Sequence, residues 1–468
     1  MSRKNKNFES KRTELIERFE TSSNSAYFDV EEFEIIIEYY LNFFDTESAE
    51  KALKIAFALH PNNPELLIKK SVINFYKEDF NAALQCLKNF PNPDDTEMLF
   101  WKGKALVELD YIDEACECFE TIAEMEQDDE LFDDLCLDIA QAFHNERFRQ
   151  ISIDWLQKGY AFNKKNCELI NYYAFQCTFL NRNEEAIKLL NESLDLNPYQ
   201  SAVWVQLCEN LLQIGKHNEA MEAIDFAVLL DKESYIIWKT KGELLCDIKE
   251  VDEAIDCFSK AKDCAISLSE KSECYFLLAT CFEEKRDYKN ALSCYQENIR
   301  LNMMLGIKDS ESLLGCAFSM IRLEKYEDGL KICDEITNEF PDIEAGWFYK
   351  GEILFEFDRI DEATDCLLKF MEIGENQELL LSVVDLLGKK FLENENFENA
   401  LKIYNKGVQI NKNDDKIKLL LSVTHYKLNN KTKAFEILKE LAGRDTDAIP
   451  FFTDFCPEAK EEINLLLK

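Results

Sequence analysis

The chain has 468 residues, of which 54 are Lys or Arg and 91 are Asp or Glu, so its formal net charge at pH 7 is −37. A charge of this size and sign repels phosphate groups, which excludes nucleic acids and anionic membrane surfaces as expected partners. The hydrophobic fraction of 46% is typical of a folded chain and excludes a disordered acidic protein.

Residues 1–29 are expected to form a basic N-terminal tail followed by a leading helix. Residues 1–12 carry five Lys or Arg and one Glu, which predicts a mobile tail. We find no apolar run of signal-peptide length near the N-terminus and none long enough to span a membrane. We therefore expect a cytoplasmic protein without membrane insertion, in which the 17 cysteines are reduced thiols.

Residues 30–441 repeat one amphipathic helix at a nearly fixed interval. The stretches RNEEAIKLLNESLDLNP, KHNEAMEAIDFAVLLDK and EVDEAIDCFSKAKDCAI begin at residues 182, 216 and 250, which are 34 residues apart. Each such helix has an apolar stripe that it cannot bury alone. A small residue early in this helix marks each repeat, at Ala49, Ala83, Ala115, Ser152, Ala186, Ala220, Ala254, Ala291, Gly329, Ala363, Ala400 and Ala434.

A second helix precedes each marked helix and carries a small residue of its own. The residue twelve positions before the marker is small in every repeat except the first, where it is Ile37. Two helices approach to about 8–10 Å where small residues face each other, so each repeat is predicted to be a helical hairpin. The large apolar residue four positions after the marker, such as Phe258, is expected to pack into the neighbouring hairpin. Insertions of three or four residues, interpreted as about one extra helical turn at hairpin junctions, precede Ser152, Ala291, Gly329 and Ala400.

These features resemble the tetratricopeptide repeat family, whose pattern is W-x2-L-G-x2-Y…A-x3-F…P. The matching stretches are WKTKGELL at 238–245, AIDCF at 254–258 and WFYKGEIL at 347–354, and prolines close several repeats. The resemblance covers about residues 30–441. It implies an all-α, right-handed solenoid of about twelve tandem hairpins.

Residues 442–468 leave the repeat pattern and are expected to cap the solenoid. PEAKEEINLLLK, from Pro457, predicts a capping helix, and AIPFF at 448–452 is expected to pack under it. An alternative from another functional class also starts here. In that alternative, AIPFFTDF pairs two chains, and the protein is a self-assembling structural protein.

The sequence carries no pattern typical of an enzyme. His60, His144, His217 and His425 lie in different repeats, and no HExxH, GxSxG or GxxxxGK[ST] is present. Cysteine, alanine, leucine and isoleucine share the third position after the marker, which indicates a packing position. We therefore expect no catalytic residues, no metal site and no cofactor.

The family resemblance implies that the first helix of each hairpin lines a concave groove. At the groove positions, acidic residues outnumber basic ones more strongly than in the whole chain, and aromatic residues are enriched. The candidate residues for binding protein segments are Glu97, Phe100, Trp101, Asp134, Glu168, Tyr172, Phe175, Glu243, Phe276, Phe318, Phe348, Tyr349 and Glu352.

Two explanations of the acidic enrichment stay open. Carboxylates are favoured in the first turn of any helix by the helix dipole, and they also suit a groove that binds a basic ligand. The aromatic residues favour binding, because their positions should face the groove. The expected function is therefore a protein-interaction scaffold for basic segments with apolar anchors. The residues that capture C-terminal carboxylates in co-chaperone relatives are missing, and an RNA-binding role would need a basic groove.

Overall fold

A computed structural model describes residues 3–22, 26–126, 130–443 and 447–466. All regular secondary structure in these ranges is helical. The chain divides into two compact units, Met1–Lys232 and Glu233–Lys468. The boundary was not apparent in the sequence, since it falls between two hairpins of the run of repeats at 30–441.

The first unit has a leading helix and six hairpins. Its helices are α1 (Arg3–Ser22), α2 (Val30–Asn42), α3 (Thr46–Leu59), α4 (Glu65–Tyr76), α5 (Phe80–Leu87), α6 (Thr96–Glu108), α7 (Ile112–Glu126), α8 (Phe132–Ala142), α9 (Arg149–Phe162), α10 (Cys167–Phe179), α11 (Asn183–Leu196), α12 (Ser201–Gln213) and α13 (His217–Leu230). Each hairpin pairs an even-numbered first helix with the odd-numbered helix that follows it.

The second unit has six further hairpins and two short C-terminal helices. Its helices are α14 (Tyr235–Asp247), α15 (Val251–Cys264), α16 (Leu268–Glu284), α17 (Tyr288–Met304), α18 (Ser310–Arg322), α19 (Tyr326–Glu339), α20 (Glu344–Glu356), α21 (Ile360–Ile373), α22 (Gln377–Glu393), α23 (Phe397–Ile410), α24 (Asp415–Lys427), α25 (Lys431–Ala442), α26 (Ala448–Phe455) and α27 (Lys460–Leu466). The twelve tandem hairpins confirm the predicted all-α solenoid.

The turn inside a hairpin follows one pattern. One residue of the turn has a positive φ in every hairpin but that of α8 and α9, and only Gly215 among these residues is a glycine. The 3-10 helix Glu146–Phe148 makes the remaining connection. In several hairpins an aspartate caps the start of the second helix. The side chains of Asp45 and Asp79, for example, accept hydrogen bonds from backbone N–H groups in the first turns of α3 and α5. These short turns hold the two helices of each hairpin side by side.

The facing small residues bring the helices of a hairpin into contact, as predicted. The Ser71 hydroxyl donates to the Ala83 carbonyl across the α4–α5 crossing at 3.0 Å. The Ser422 hydroxyl donates in the same way to the Ala434 carbonyl, at 2.7 Å. A side-chain oxygen can bond the facing backbone only where two helices cross closely, so these contacts confirm the hairpin packing.

The large residue after the marker makes the predicted contact with the next hairpin in the case of Phe119, whose ring centroid lies 5.6 Å from that of Phe143, and it also packs within its own hairpin. A Cβ atom at Gly103 would lie 2.7 Å from the ring of Phe119, and one at Gly242 would lie 2.5 Å from the ring of Phe258. These rings therefore fill space in their own hairpin first. Only Tyr295 among these examples faces a glycine of the next hairpin, at Gly315.

The insertions lengthen helices rather than loops in three of four cases. Helices α16, α17 and α22 each have 17 residues, whereas α14 has 13 and α15 has 14. The difference is about one helical turn, as predicted. The fourth insertion, before Ser152, contains the 3-10 helix Glu146–Phe148.

The N-terminal segment corrects one expectation. Helix α1 begins at Arg3, so most of the segment expected to be a tail is helical. Ile16 and Phe19 of this helix are buried, and the Phe19 ring centroid lies 5.6 Å from that of Phe28 and 6.2 Å from that of Phe33. Helix α1 thus covers the apolar end of the first hairpin.

The C-terminal cap also differs in detail from the prediction. The stretch expected to lie under a capping helix is itself helical, as α26, and a 3-10 turn at Pro457–Ala459 precedes α27. Phe452 is completely buried and its ring centroid lies 5.7 Å from that of Tyr426. Ion pairs from Lys427 to Glu458 at 2.8 Å and from Lys431 to Glu462 at 2.6 Å tie the cap to the last hairpin.

This burial gives a test of the self-assembly alternative. We expect the intact chain to be monomeric and a chain ending at residue 441 to self-associate, because truncation uncovers Val423, Tyr426 and Leu438. Light scattering of the two proteins at several concentrations measures this. The reverse result, a dimeric intact chain and a monomeric truncated one, would support pairing through the C-terminal segment.

Candidate functional site

The first helices of the hairpins lie closer together than the second helices. In the first unit, α2, α4, α6, α8, α10 and α12 each contact the next one of this series. The helices α3, α5, α7, α9, α11 and α13 make no comparable contacts with one another over their described residues. The same difference holds for α14, α16, α18 and α20 in the second unit. The more closely packed side of a curved stack is its concave side, so the first helices line the concave face of each unit.

A buried lysine lies among carboxylates on the first three of these helices. Lys69 on α4 is 6% exposed, and its Nζ lies 3.1 Å from Glu38 Oε1 on α2 and 2.9 Å from Glu97 Oε1 on α6. Burial raises the pKa of Glu34, and Lys69 opposes that shift. The charges of Glu97, Glu65 and Glu38 raise the pKa of Glu34 further. We call these five residues the Lys69 cluster; two of its four carboxylates, those of Glu38 and Glu97, pair with its one ammonium group.

A second acidic group spans α8 and α10, and we call Asp134, Asp138 and Glu168 the Asp138 cluster. Partial burial raises the pKa of Asp138, Lys104 opposes the shift, and the charges of Asp134 and Glu168 raise the pKa further. Asp134 accepts a hydrogen bond from Asn166 at 2.8 Å. Asp134 and Glu168 are both exposed. The cluster therefore presents negative charge on the concave face of the first unit.

The aromatic candidates of the first unit are partly exposed and contact other rings. Phe100 and Trp101 lie 6.0 Å apart between ring centroids, and the Lys104 ammonium lies 4.7 Å above the Trp101 ring. Tyr172 is stacked on Phe175 at 6.1 Å. The structure thus brings the predicted residues of α6 together in one place and those of α10 in another.

At the start of the second unit, a lysine forms ion pairs with Glu243, one of the predicted residues, and with a neighbouring glutamate. Lys239 on α14 lies 3.7 Å from Glu243 and 2.5 Å from Glu273 on α16, and the Tyr235 hydroxyl donates to Glu273. Phe276 contacts Tyr295 edge to face, with ring centroids 6.1 Å apart. Glu243 is therefore part of an internal ion-pair network.

The remaining candidates form one aromatic group on α18 and α20. The ring centroid of Tyr349 lies 6.0 Å from that of Phe318 and 5.9 Å from that of Phe348. The guanidinium carbon of Arg322 lies 4.8 Å from the centre of the Phe318 ring. Partial burial raises the pKa of Glu352, and the charge of Arg322 opposes this shift. An arginine is thus already present beside these rings and Glu352.

The comparisons with known proteins agree with this architecture. A family model described as "Tetratricopeptide repeat" matches residues 96–129, which include the hairpin of α6 and α7. The chain therefore contains a tetratricopeptide repeat at residues 96–129. None of the curated proteins matches the chain.

Several solved structures resemble parts or most of the chain. The C-terminal part of a repeat-containing protein from Cytophaga hutchinsonii is 14% identical, covers 53% of this chain and 98% of its own, and has a TM-score of 0.48. The APC/C hetero-tetramer Cut9-Hcn1 is 14% identical, with 96% and 93% coverage and a TM-score of 0.37. YrrB, described as a TPR protein with an unusual peptide-binding site, is 17% identical, with 40% and 92% coverage and a TM-score of 0.35.

Tetratricopeptide repeats build scaffolds for protein–protein interaction, and twelve such hairpins make this chain a scaffold of that kind. No helix in the described ranges is both long and apolar enough to cross a membrane. Within those ranges, no three His, Cys, Asp or Glu side chains are arranged to hold a metal ion.

The cysteines of the repeats occupy packing positions. All 17 are free thiols. Burial raises the pKa of Cys118, Cys257 and Cys366, which stand at the third position after the marker. A raised pKa keeps a thiol protonated and weakly nucleophilic, so these cysteines behave as small apolar side chains.

The sequence reading missed the basic residues inside the concave face. Lys69 reaches its two carboxylates across sequence separations of 31 and 28 residues, each close to one repeat. A lysine flanked by glutamates one repeat before and one repeat after it is the pattern that would have indicated this ion pair.

Trp101 was predicted from the sequence, but the other members of an aromatic strip, which lie around the ends of α2 and α4, were missed. The aromatic strip consists of Phe43, Phe44, Phe75, Tyr76 and Trp101. Phe44 contacts Tyr76 at 6.2 Å between ring centroids, and Trp101 contacts Tyr76 at 6.4 Å and Phe75 at 5.6 Å. Phe44 is 79% exposed and Phe43 is 67% exposed. Phe44 is the sequence signal, since the residue with a positive φ in the other described turns is polar or a glycine.

Proposed function

We propose that the protein binds basic segments of other proteins in the concave face of its repeats, with apolar side chains of the segment against the exposed rings. The observation that carries this proposal is the crowding of carboxylates in the first unit. Partial burial raises the pKa of Asp138, Lys104 opposes this shift, and the charges of Asp134 and Glu168 add to it, so the three carboxylates repel one another. A cationic side chain placed among them would relieve that repulsion.

The helix-dipole explanation accounts for part of this charge but not for all of it. Asp134 and Glu168 lie in the first turns of α8 and α10, where the dipole stabilises them. Asp138 lies half-way along α8, where the dipole gives no such stabilisation, and its carboxyl has a raised pKa. The Asp138 cluster therefore favours a ligand-binding role over a purely local one.

Part of the concave charge is already paired in both units, by Lys69 with Glu38 and Glu97 in the first and by Lys239 in the second. Glu243 shares Lys239 with Glu273, and Glu352 lies near Arg322. The Asp138 cluster has the neighbouring charge of Lys104, whose own pKa is lowered by burial. We assign the capture of basic segments to the Asp138 cluster, because its three carboxylates lie close together on the concave face.

Reversing two charges of the Asp138 cluster tests the proposal. We expect Asp134→Lys with Glu168→Lys to weaken binding of an arginine-containing peptide by about fivefold to tenfold, because two attractive charges become repulsive. Fluorescence anisotropy with a labelled peptide at low and at high salt measures the affinity. The difference between wild type and variant should shrink as salt rises. Glu97 is left unchanged, since a lysine there would face Lys69.

The matched control carries the same change of net charge on the second helices. Glu184→Lys with Glu222→Lys alters exposed residues of α11 and α13. We expect this control to bind the peptide nearly as wild type does. Equal affinities of both variants and wild type, at both salt concentrations, would remove the charged groove as the binding site.

A further inference from the structure

Two cysteines of the second unit lie with their thiols in contact. Cys246, in the last turn of α14, has its Sγ atom 3.5 Å from the Sγ atom of Cys281 on α16. The two residues are 35 positions apart in the chain, which is close to one repeat, so each thiol belongs to a different hairpin. The contact therefore joins the first helices of two successive hairpins, and these helices line the concave face of the unit.

The packing position of the other cysteines does not account for this pair. Cysteines at the third position after the marker, such as Cys257 and Cys366, lie on second helices, and other repeats have alanine, leucine or isoleucine there. Cys246 and Cys281 lie on first helices instead. A thiol is only a weak hydrogen-bond donor and acceptor, so the contact between two of them adds little to stability. The chemistry of the two thiols is the more informative property of the pair.

The geometry of the pair suits a disulfide bond. Such a bond is about 2.05 Å long, so each sulfur atom would have to move by less than about 1 Å. The same two helices are also held together elsewhere, because Lys239 on α14 forms an ion pair with Glu273 on α16. Lys239 precedes Cys246 by about two helical turns. The helices are thus kept side by side before any bond forms between the sulfur atoms.

The two thiols differ in how easily they react. The hydrogen bond from Cys281 lowers the pKa of Cys246, although burial and the charges of Glu284, Asp247 and Glu243 act in the opposite direction. Cys246 is also partly exposed, whereas Cys281 is 2% exposed. A thiol with a lowered pKa and access to solvent is the better nucleophile. Cys246 is therefore the thiol that reacts with an oxidant, and Cys281 is the one that completes the bond.

The charge around Cys246 selects the class of oxidant. The nearby carboxylates, which include Glu284 and Asp247, make the local potential negative. An anionic oxidant such as glutathione disulfide is repelled by that potential. Hydrogen peroxide is small and neutral, so it approaches the partly exposed thiol without this penalty.

We propose that Cys246 and Cys281 are a redox-sensitive pair, which hydrogen peroxide converts into a reversible disulfide between α14 and α16. Cys246 attacks the peroxide, becomes a sulfenic acid and releases one water molecule. The Cys281 sulfur then attacks the sulfenic sulfur, forms the S–S bond and releases a second water molecule. The thiols lose two electrons and two protons, and the peroxide takes up both. A dithiol reductant breaks the bond again by thiol–disulfide exchange.

Mapping of the thiols during peroxide treatment tests the proposal. Hydrogen peroxide is raised in steps over the folded full chain until thiols begin to be lost; the remaining thiols are then alkylated at low pH in denaturant, and the peptides are identified by mass spectrometry. We expect the peptides of Cys246 and Cys281 to be joined about tenfold more often than any other pair, and to separate in dithiothreitol. The other half-buried thiols should still be reduced at that point: Cys86, Cys116, Cys167, Cys264 and Cys294.

Three variants locate the reaction. Cys281→Ala should lose the cross-link and leave Cys246 as a sulfenic acid that dimedone traps, whereas Cys246→Ala should leave Cys281 reduced. Cys257→Ala is the matched control, because Cys257 is a buried cysteine of the same unit at a position where other repeats have alanine. It should form the cross-link as wild type does. Circular dichroism before oxidation checks that each variant is folded.

Thermal unfolding gives a second readout. Oxidation should raise the midpoint of wild type by about 5 °C, because the bond closes a loop in the unfolded chain, and it should not raise that of Cys281→Ala. Cys246 and Cys281 that stay reduced while other half-buried thiols are oxidised would overturn the inference. Disulfides spread evenly over many pairs, or a cross-link that lowers the midpoint, would overturn it as well. The pair lies outside the Asp138 cluster, so none of these outcomes bears on the proposed function.

Discussion

Replacing Phe119 by alanine is expected to lower the free energy of unfolding of the first unit by about 3–5 kcal/mol. The Phe119 side chain is completely buried where α6 crosses α7. Its ring centroid lies 6.0 Å from that of Phe100 and 5.6 Å from that of Phe143 in the next hairpin. Its removal would leave a cavity that touches two hairpins, and such a cavity cannot close by moving one side chain.

The Phe119 ring packs against Gly103. We expect Gly103→Ala to change the free energy of unfolding in opposite directions in the wild type and in the Phe119→Ala variant. In the wild type, a Cβ atom at position 103 would lie 2.7 Å from the Phe119 ring. Gly103→Ala should therefore destabilise the protein by about 1–3 kcal/mol despite the better helix propensity of alanine. With Phe119→Ala present, the clash is absent, and Gly103→Ala should stabilise by about 1 kcal/mol.

Urea unfolding of the four proteins in this double-mutant cycle measures the coupling. The change of sign separates a steric fit from a general preference for glycine at that position. Gly443→Ala serves as a control, because the added Cβ would meet only backbone oxygens, at 3.6 and 3.9 Å. If Gly103→Ala has the same effect on stability in both backgrounds, the Phe119 ring does not require a glycine at position 103.

The packing inside the hairpins could be predicted because it repeats at nearby positions in the sequence. Ser71 and Ala83 stand twelve residues apart and meet across one crossing. The same separation recurs in every repeat, so each repeat supports the assignment of the others. The direction of the large residue could not be predicted in this way, since Phe119 and Tyr295 occupy the same position and face glycines of different hairpins.

The character of the concave face was only partly predictable. The aromatic and acidic residues are local signals, and their helices place them on the expected side. The pairing of Lys69 with Glu38 and Glu97 joins three different hairpins, and it depends on how successive repeats stack. The boundary after Lys232 likewise leaves no mark in the composition of the repeats on either side of it.

Replacing Lys69 by methionine is expected to lower the free energy of unfolding by about 2 kcal/mol at pH 7. Methionine keeps the apolar stem but removes the ammonium group that Glu38 and Glu97 share. Burial tends to lower the pKa of Lys69, but its bonds and charge interactions with Glu97 and Glu38 raise it overall, so the lysine is charged at neutral pH. Because both carboxylates keep part of their hydration, the loss stays below that of a fully buried pair.

The loss of stability caused by Lys69→Met should be larger at neutral pH than at acidic pH. The pKa of Glu34 is already raised in the folded protein, and removal of Lys69 takes away the charge that opposes this shift. A carboxyl group whose pKa is higher in the folded state destabilises the fold as pH rises through that pKa, and protonation restores the stability. Urea unfolding should therefore show a larger deficit at pH 7 than at pH 5, whereas a deficit that grows on acidification would contradict the assignment.

Lys69→Met should also strengthen ligand binding, because Lys69 neutralises carboxylates that a basic segment would otherwise contact. We expect Lys69→Met to bind an arginine-containing peptide about threefold to tenfold more tightly, with a steeper dependence on salt. Lys418→Met is the matched control, since Lys418 is also shielded and pairs with Glu440 at 3.3 Å in the last hairpin. Its affinity should not change. Weaker binding by Lys69→Met would show that this lysine only supports the fold. Tighter binding, together with lower stability, would show that it acts as an internal counter-ion for which the ligand competes.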